Sequence, residues 1–117
     1  MLHKQSKEII KQKVGQGEAT YRQILISPEE GPNFAMRKFT IEPEGFMPLH
    51  TNEVEHEQYV LNGTAELRIG NERIIAKKDD VIFIPSGVEH DYRNIGNAPF
   101  EFLCIVPNKK DEIKIIS

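Results

Sequence analysis

The sequence predicts an all-β domain closed into a barrel or a double sheet of the jelly-roll kind. Three observations carry this. From residue 19 onward, short apolar or alternating runs follow one another with turn chemistry between them at close spacing, the pattern of a sandwich or barrel. Two tight-turn dipeptides, Asn62-Gly63 and Gly70-Asn71, come in quick succession and suit consecutive hairpins. Helix signals are nearly absent: "KEIIKQKV" near the start has neither a cap nor an apolar face. Residues 1–14 are therefore expected as an extended arm and residues 15–117 as the barrel.

Taken in order, "ATYRQILIS" is rich in strand formers and is stopped by Pro28. "PEEGPN" is a turn cluster, and "FAMRKFTIE" alternates until "PEG" closes it. "PLHTNEVEHEQ" reads as a strand, a turn and the start of another strand. "HEQYVL" runs to Asn62-Gly63, where both residues tolerate positive φ, and "TAELRI" is expected to return beside it. Gly70-Asn71 turns the chain into "ERIIA"; "DVIFIP", "EHDYRN", "FEFLCIVP" and "EIKII" supply the remaining strands.

Length and composition bound the function. A chain of 117 residues fits one domain. Cys104 is the sole cysteine, so no disulfide forms within the chain, and a reducing compartment fits. The lysine-interrupted first residues match neither a leader nor an anchor, and no apolar run reaches the ~18 residues of a membrane span. The expectation is a cytoplasmic protein with no membrane partner. A net charge of −3 argues against nucleic acid, which requires a clustered basic surface; Lys4, Lys7, Lys11 and Lys13 read as a solvated arm.

Chemistry concentrates in two stretches. The first, "GFMPLHTNEVEHEQYVLNG" (45–63), carries His50, Asn52 and His56. The second, "DDVIFIPSGVEHDYRN" (79–94), carries Pro85, Gly87, His90 and Asn94. Together they resemble a small single-domain cupin. The first cupin motif runs G-x5-H-x-H-x3/4-E-x6-G. His50 and Gly63 match it, Glu44 holds its first glycine position with Gly45 one place late, and Asn52 replaces the second histidine. The second motif runs G-x5-P-x-G-x2-H-x3-N and matches at Pro85, Gly87, His90 and Asn94, with Asp79 at its first glycine. Six residues back from Gly63 places His56, not Glu57, at the motif's carboxylate position. Adjacent side chains on a strand face opposite ways, so one of the two faces the pocket; His56 is expected there.

Residues 20 to 107 are similar to a manganese-binding cupin subgroup with four histidines, of which this chain keeps three. The resemblance implies a double-stranded β-helix holding one divalent transition metal (Mn, Fe, Co, Ni, Cu or Zn) through His50, His56 and His90. Asn52 would be a fourth ligand or a partner for bound water. The residues themselves agree. His50 and Asn52, two apart, share a face; His56 opens a strand and His90 follows a Pro-x-Gly turn, so inward side chains from separate strands can surround one point. Neutral imidazoles suit these ions.

Gln58, Tyr92, Phe39 and Cys104 are the expected pocket liners. Gln58 shares parity with His56, and Tyr92 with His90. Cys104, on one face with Phe102 and Val106, reads first as a small apolar core residue, with a thiol lining the metal cavity as the alternative. Arg37, Phe39 and Ile41 share a face and read as core. Asn94 is expected to tie down a turn. As an enzyme, such a cupin would be a dioxygenase-like oxidoreductase acting on a small organic substrate. The alternative is a non-catalytic module that binds or senses a small ligand. The resemblance also implies a homodimer paired through the arm.

Overall fold

Runs of β-formers broken by Gly, Pro and Asn become ten antiparallel strands in the computed structural model, which describes residues 1–116. They are β1 (Gln12–Lys13), β2 (Glu18–Ile26), β3 (Phe34–Thr51), β4 (His56–Asn62), β5 (Thr64–Ile69), β6 (Glu72–Lys77), β7 (Val81–Ile84), β8 (His90–Asn94), β9 (Phe100–Pro107) and β10 (Lys114–Ile115). One 3-10 turn, Ser6–Glu8, precedes them. The strand order β6-β5-β8-β3-β9-β4-β7, with β2 and β10 also on β3, is a single curled sheet of jelly-roll type.

The curl is made by β3. Its first half pairs with β2 and β9, with Arg37 opposite Cys104 and Phe39 opposite Phe102. Its second half pairs with β8 and β10, with His50 opposite both His90 and Ile115. The sequence suggests that this strand ends at Pro43-Glu44-Gly45. Instead the chain bulges there and continues: Glu18 pairs with Phe46, yet Thr20 pairs with Ile41. Glu44 takes a left-handed φ of 71°. Gly45 admits the close approach, since a Cβ there would lie 2.8 Å from the carbonyl oxygens of Glu18 and Glu42. Turn-like residues thus bend a strand rather than finish it.

A second departure concerns Asn62-Gly63. No hairpin forms, because β4 pairs with β7 and β9 whereas β5 pairs with β6 and β8. The dipeptide carries the chain from one wall to the other. Asn62 donates its side-chain N–H to the Pro99 carbonyl (3.1 Å). Gly63 has φ 83°, and a Cβ there would strike that carbonyl. The Gly70-Asn71 hairpin forms as expected, with Ile69 opposite Glu72.

Alternation sorts the walls. In β9, Phe100, Phe102, Cys104 and Val106 are buried, and their neighbours are half-exposed. Phe100, Ile41, Leu67, Ile84 and Val60 are fully buried, each burial contributing about 1.5–3 kcal/mol. The first residues lie along their own chain: Gln23 Nε2 donates to the carbonyls of Ser6 (2.7 Å) and Ile9 (2.9 Å). Lys4 pairs with Glu30 at 2.8 Å. Among the described residues no helix is long and apolar enough to cross a membrane.

Candidate metal and ligand pocket

Three histidines meet inside the barrel. His50 lies near the end of β3, directly opposite His90 at the start of β8, and His56 opens β4. The His50 and His90 ring centroids are 4.1 Å apart and those of His56 and His90 5.8 Å. All three are buried, whereas Glu57 is exposed, so parity turns His56 inward as the count from Gly63 predicts.

Backbone carbonyls fix two of the rings. His50 Nδ1 lies 2.7 Å from the Pro48 oxygen and His90 Nδ1 lies 2.9 Å from the Val88 oxygen. A carbonyl oxygen only accepts, so each ring carries its proton on Nδ1 and its lone pair on Nε2. His56 Nδ1 sits 3.5 Å from Cys104 Sγ. The Nε2 atoms of His56 and His90 are buried with no partner among the described residues. A buried nitrogen left unpaired is costly.

Asn52 is buried at the same end of the barrel, and its two amide atoms differ sharply. Its Nδ2 donates to Asp111 Oδ2 (3.2 Å), while its Oδ1 has no partner. Asp111 Oδ1 also accepts the Glu53 and Val54 backbone N–H groups, at 2.7 and 3.3 Å. The Gly87 N–H reaches the Asn52 carbonyl at 2.8 Å, and Ser86 Oγ donates to the carbonyl of Glu53. Asp111 therefore holds the loop that presents Asn52. Nothing in its local sequence marks it, since it acts across 59 positions.

The electrostatics favour neutral imidazoles. Burial pushes His56 down from 6.5 to about 3, helped by the nearby charge of Arg37 and then by His90 and His50. Burial, then His50, lowers His90 to about 4. Burial also lowers His50, against the Pro48 hydrogen bond and the charges of Asp91 and Asp111, which act the other way. All three rings are thus free bases at neutral pH, the form that ligates metals.

These rings edge a cavity of about 210 Å³. One side is an aromatic stack, Phe39–Phe102–Tyr92, with centroids 5.3 and 5.1 Å apart. Gln58 Nε2 donates to the Tyr92 hydroxyl at 2.7 Å. Phe39, Gln58, Tyr92 and Asn52 all bound the cavity. Cys104 does not reach its surface; the thiol is fully buried, with Arg37 Nη2 3.4 Å and Gln58 Nε2 3.7 Å from its sulfur. Asn94 ties down its turn, donating to the carbonyls of Ile41 and Ala98 and accepting the Gly96 N–H. Two arginines that local sequence does not single out, Arg22 and Arg37, complete one wall. Alternation was the available signal, because it places Thr20 and Arg22 on the face that Arg37, Phe39 and Ile41 share. Among the described residues, no group of three or more His, Cys, Asp or Glu side chains is already arranged to hold a metal ion.

Comparison with known proteins agrees with this architecture. Residues 37–106, more than half of the chain, match the family model described as "Cupin domain". The xanthan biosynthesis protein XanB of Xanthomonas campestris is 30% identical over 108 residues, covering 83% of this chain. The chain spans only 23% of that relative. An uncharacterized protein of Methanocaldococcus jannaschii is 39% identical over 57 residues, 48% of this chain and 46% of that protein. Among solved structures, the polyketide cyclase RemF from Streptomyces resistomycificus covers the whole chain and 86% of its own, with TM-score 0.91 and 24% identity. That likeness is one of fold. A predicted oxalate decarboxylase from Thermotoga maritima gives TM-score 0.80 at 26% identity, over 91% of this chain and 98% of that one.

Proposed function

The chain belongs to the cupin family, and from that premise we propose that its barrel binds one divalent transition metal and presents it to a small organic molecule. The observation that carries this is the set of histidine Nε2 atoms. Two of the rings are tautomer-locked by backbone carbonyls, and the Nε2 atoms of His56 and His90 are buried without partners. His50, His56 and His90 would hold the ion. The Asn52 oxygen, left free because its nitrogen is committed to Asp111, would complete the set or bind a coordinated water.

Bound there, the ion would supply Lewis-acid or redox chemistry, and an oxidoreductase of dioxygenase type is the activity we propose. The chain's own contribution is a shaped site with one apolar side. The aromatic stack gives that side its surface, and the Gln58–Tyr92 hydrogen bond fixes the phenol. Burial raises the Tyr92 pKa, so this phenol remains protonated at neutral pH.

Metal analysis of untagged protein tests the reading: near-stoichiometric Mn, Fe, Co, Ni, Cu or Zn is expected, and His56→Ala should lose most of it. A parent that stays substoichiometric after addition of Mn²⁺, Fe²⁺ or Zn²⁺ would falsify the reading. Dioxygen or peroxide consumption with small phenols, diketones and thiols then separates a catalyst from a binding module. We also propose that two copies pair through the arm. Light scattering should find a dimer for the full chain and a monomer for one lacking residues 1–14.

A further inference from the structure

We propose that Arg22 and Arg37 form an acid-binding end of this cavity, which takes the carboxylate of a small organic acid whose other end faces the histidines. The proposal deepens the metal-pocket reading and rests on it for the location of the site.

The two arginines come from neighbouring antiparallel strands. Arg22 pairs with Phe39 and Arg37 lies two residues before Phe39, so both project from the same face as diagonal neighbours. Like charges so placed repel unless a counter-charge joins them. None does: among the described residues neither guanidinium has an ion-pair partner, and the ion pairs present are Lys4–Glu30, Lys38–Glu101 and Arg73–Glu66. Both side chains are half-buried, and each has a buried Nε–H with no acceptor. Burial and the neighbouring Arg37 lower the pKa of Arg22, so the arrangement carries a cost that a bound anion would relieve. Asp111, which borders a neighbouring pocket together with both arginines, spends its carboxylate on Asn52, Glu53 and Val54.

Arg37 is also oriented in advance. Its guanidinium carbon lies 5.1 Å over the Phe39 ring and its Nη2 reaches Cys104 Sγ. A guanidinium held this way loses little entropy on binding a planar carboxylate through two parallel hydrogen bonds. The composition of the wall points the same way. Although the chain carries a net charge of −3, the cavity is lined by Lys13, Arg22 and Arg37 and by no Asp or Glu. A carboxylate suits it better than a phosphate. A guanidinium fork binds either anion, and the apolar aromatic wall beside these arginines is what favours an organic acid over inorganic phosphate. The stack of Phe39, Phe102 and Tyr92 beside them offers a flat apolar surface for the body of the acid. At about 210 Å³ the cavity lies below the ~300–1,000 Å³ of drug-sized sites, so the acid is small.

Calorimetric titration of the full chain, stripped of metal by chelation, tests this with benzoate, its uncharged analogue benzamide, and inorganic phosphate. Benzoate should bind, and benzamide should bind about tenfold or more weakly, the equivalent of one lost charged hydrogen bond. Arg22→Gln and Arg37→Gln should each weaken benzoate by a similar factor, and neither should weaken Mn²⁺ binding, since each removes a positive charge from the neighbourhood of the histidines. Arg22→Lys should retain part of the binding. His56→Ala should lose Mn²⁺ and keep benzoate, so failure of the metal reading leaves this signal intact. If a Gln variant does not fold, the arginine Nε–H resonances of the parent provide the measurement, and they should shift on adding benzoate. The proposal is overturned if benzoate does not bind, if benzamide or phosphate binds as tightly, if folded Gln variants bind benzoate like the parent, or if those resonances stay in place.

Discussion

Asn52 shows how much a single side chain decides. It stands where the family motif has a histidine, and the fold gives its two amide atoms opposite fates, one tied to Asp111 and one left bare. An amide oxygen is a weaker donor than imidazole toward these ions. Asn52→His should therefore tighten divalent metal binding, at or above the roughly tenfold that changes around a metal site produce. Equal or weaker affinity in a titration would mean that position 52 does not face the ion. The choice between His56 and Glu57 was legible in the sequence because strand parity is strict and Gly63 anchors the count. The arginine pair was not. The sequence shows Arg37 only as a companion of Phe39 and Ile41, and whether a guanidinium finds an acid depends on strands far away in the chain.

At the scale of elements, hairpins and bulges share a vocabulary. Gly70-Asn71 makes its hairpin because β5 and β6 extend the same sheet. Asn62-Gly63 has equally good turn chemistry, yet it crosses between walls because β4 finds its partners in β7 and β9. Local residues specify that the chain turns, and long-range pairing decides what it turns into. The two motif glycines replaced here are instructive. Glu44 and Asp79 stand at those positions, and both take positive φ, 71° and 74°. The fold thus imposes the glycine conformation on residues that resist it, at about 1–2 kcal/mol for a side chain such as glutamate. Glycine costs about 0.5–1 kcal/mol more backbone entropy than alanine, so Glu44→Gly should stabilise the protein by up to about 1 kcal/mol. Denaturant unfolding measures this, and a lowered midpoint would refute the strain argument.

For the whole molecule, the buried histidines tie stability to pH. Their folded pKa values lie below the ordinary 6.5, at about 3 for His56 and about 4 for His90. The unfolded chain therefore binds more protons throughout that interval, and stability rises with pH there. In the metal-free protein this contribution is complete above about pH 6.5. It is lost progressively as pH falls, through about 4 for His90 and about 3 for His56. The melting temperature of chelated protein should fall on acidification from pH 7 to 5, and His90→Gln should flatten the decline. A parent whose melting temperature is level over that range would show that the rings are not held neutral. The all-β class and most strands were readable from alternation and turn spacing. Closure into a jelly roll was readable as well; the route of the curl was not, because it depends on β3 ignoring its own stop signal.

That continuity sets a rule for how the cavity can change. Arg37 and His50 stand on one strand, an odd number of residues apart, and both face the cavity because register shifts at residues 42–45 and between Met47 and His50 lie between them. Their separation is thus written into a single backbone, like marks on a ruler. Removing or adding one residue there would not shorten or lengthen the ruler; it would turn His50 toward the opposite face, because strand parity inverts with each residue. Viable length variants should therefore differ by two residues at a time. Deleting Glu44 together with Gly45 should keep His50 facing inward, whereas deleting either alone should turn it away.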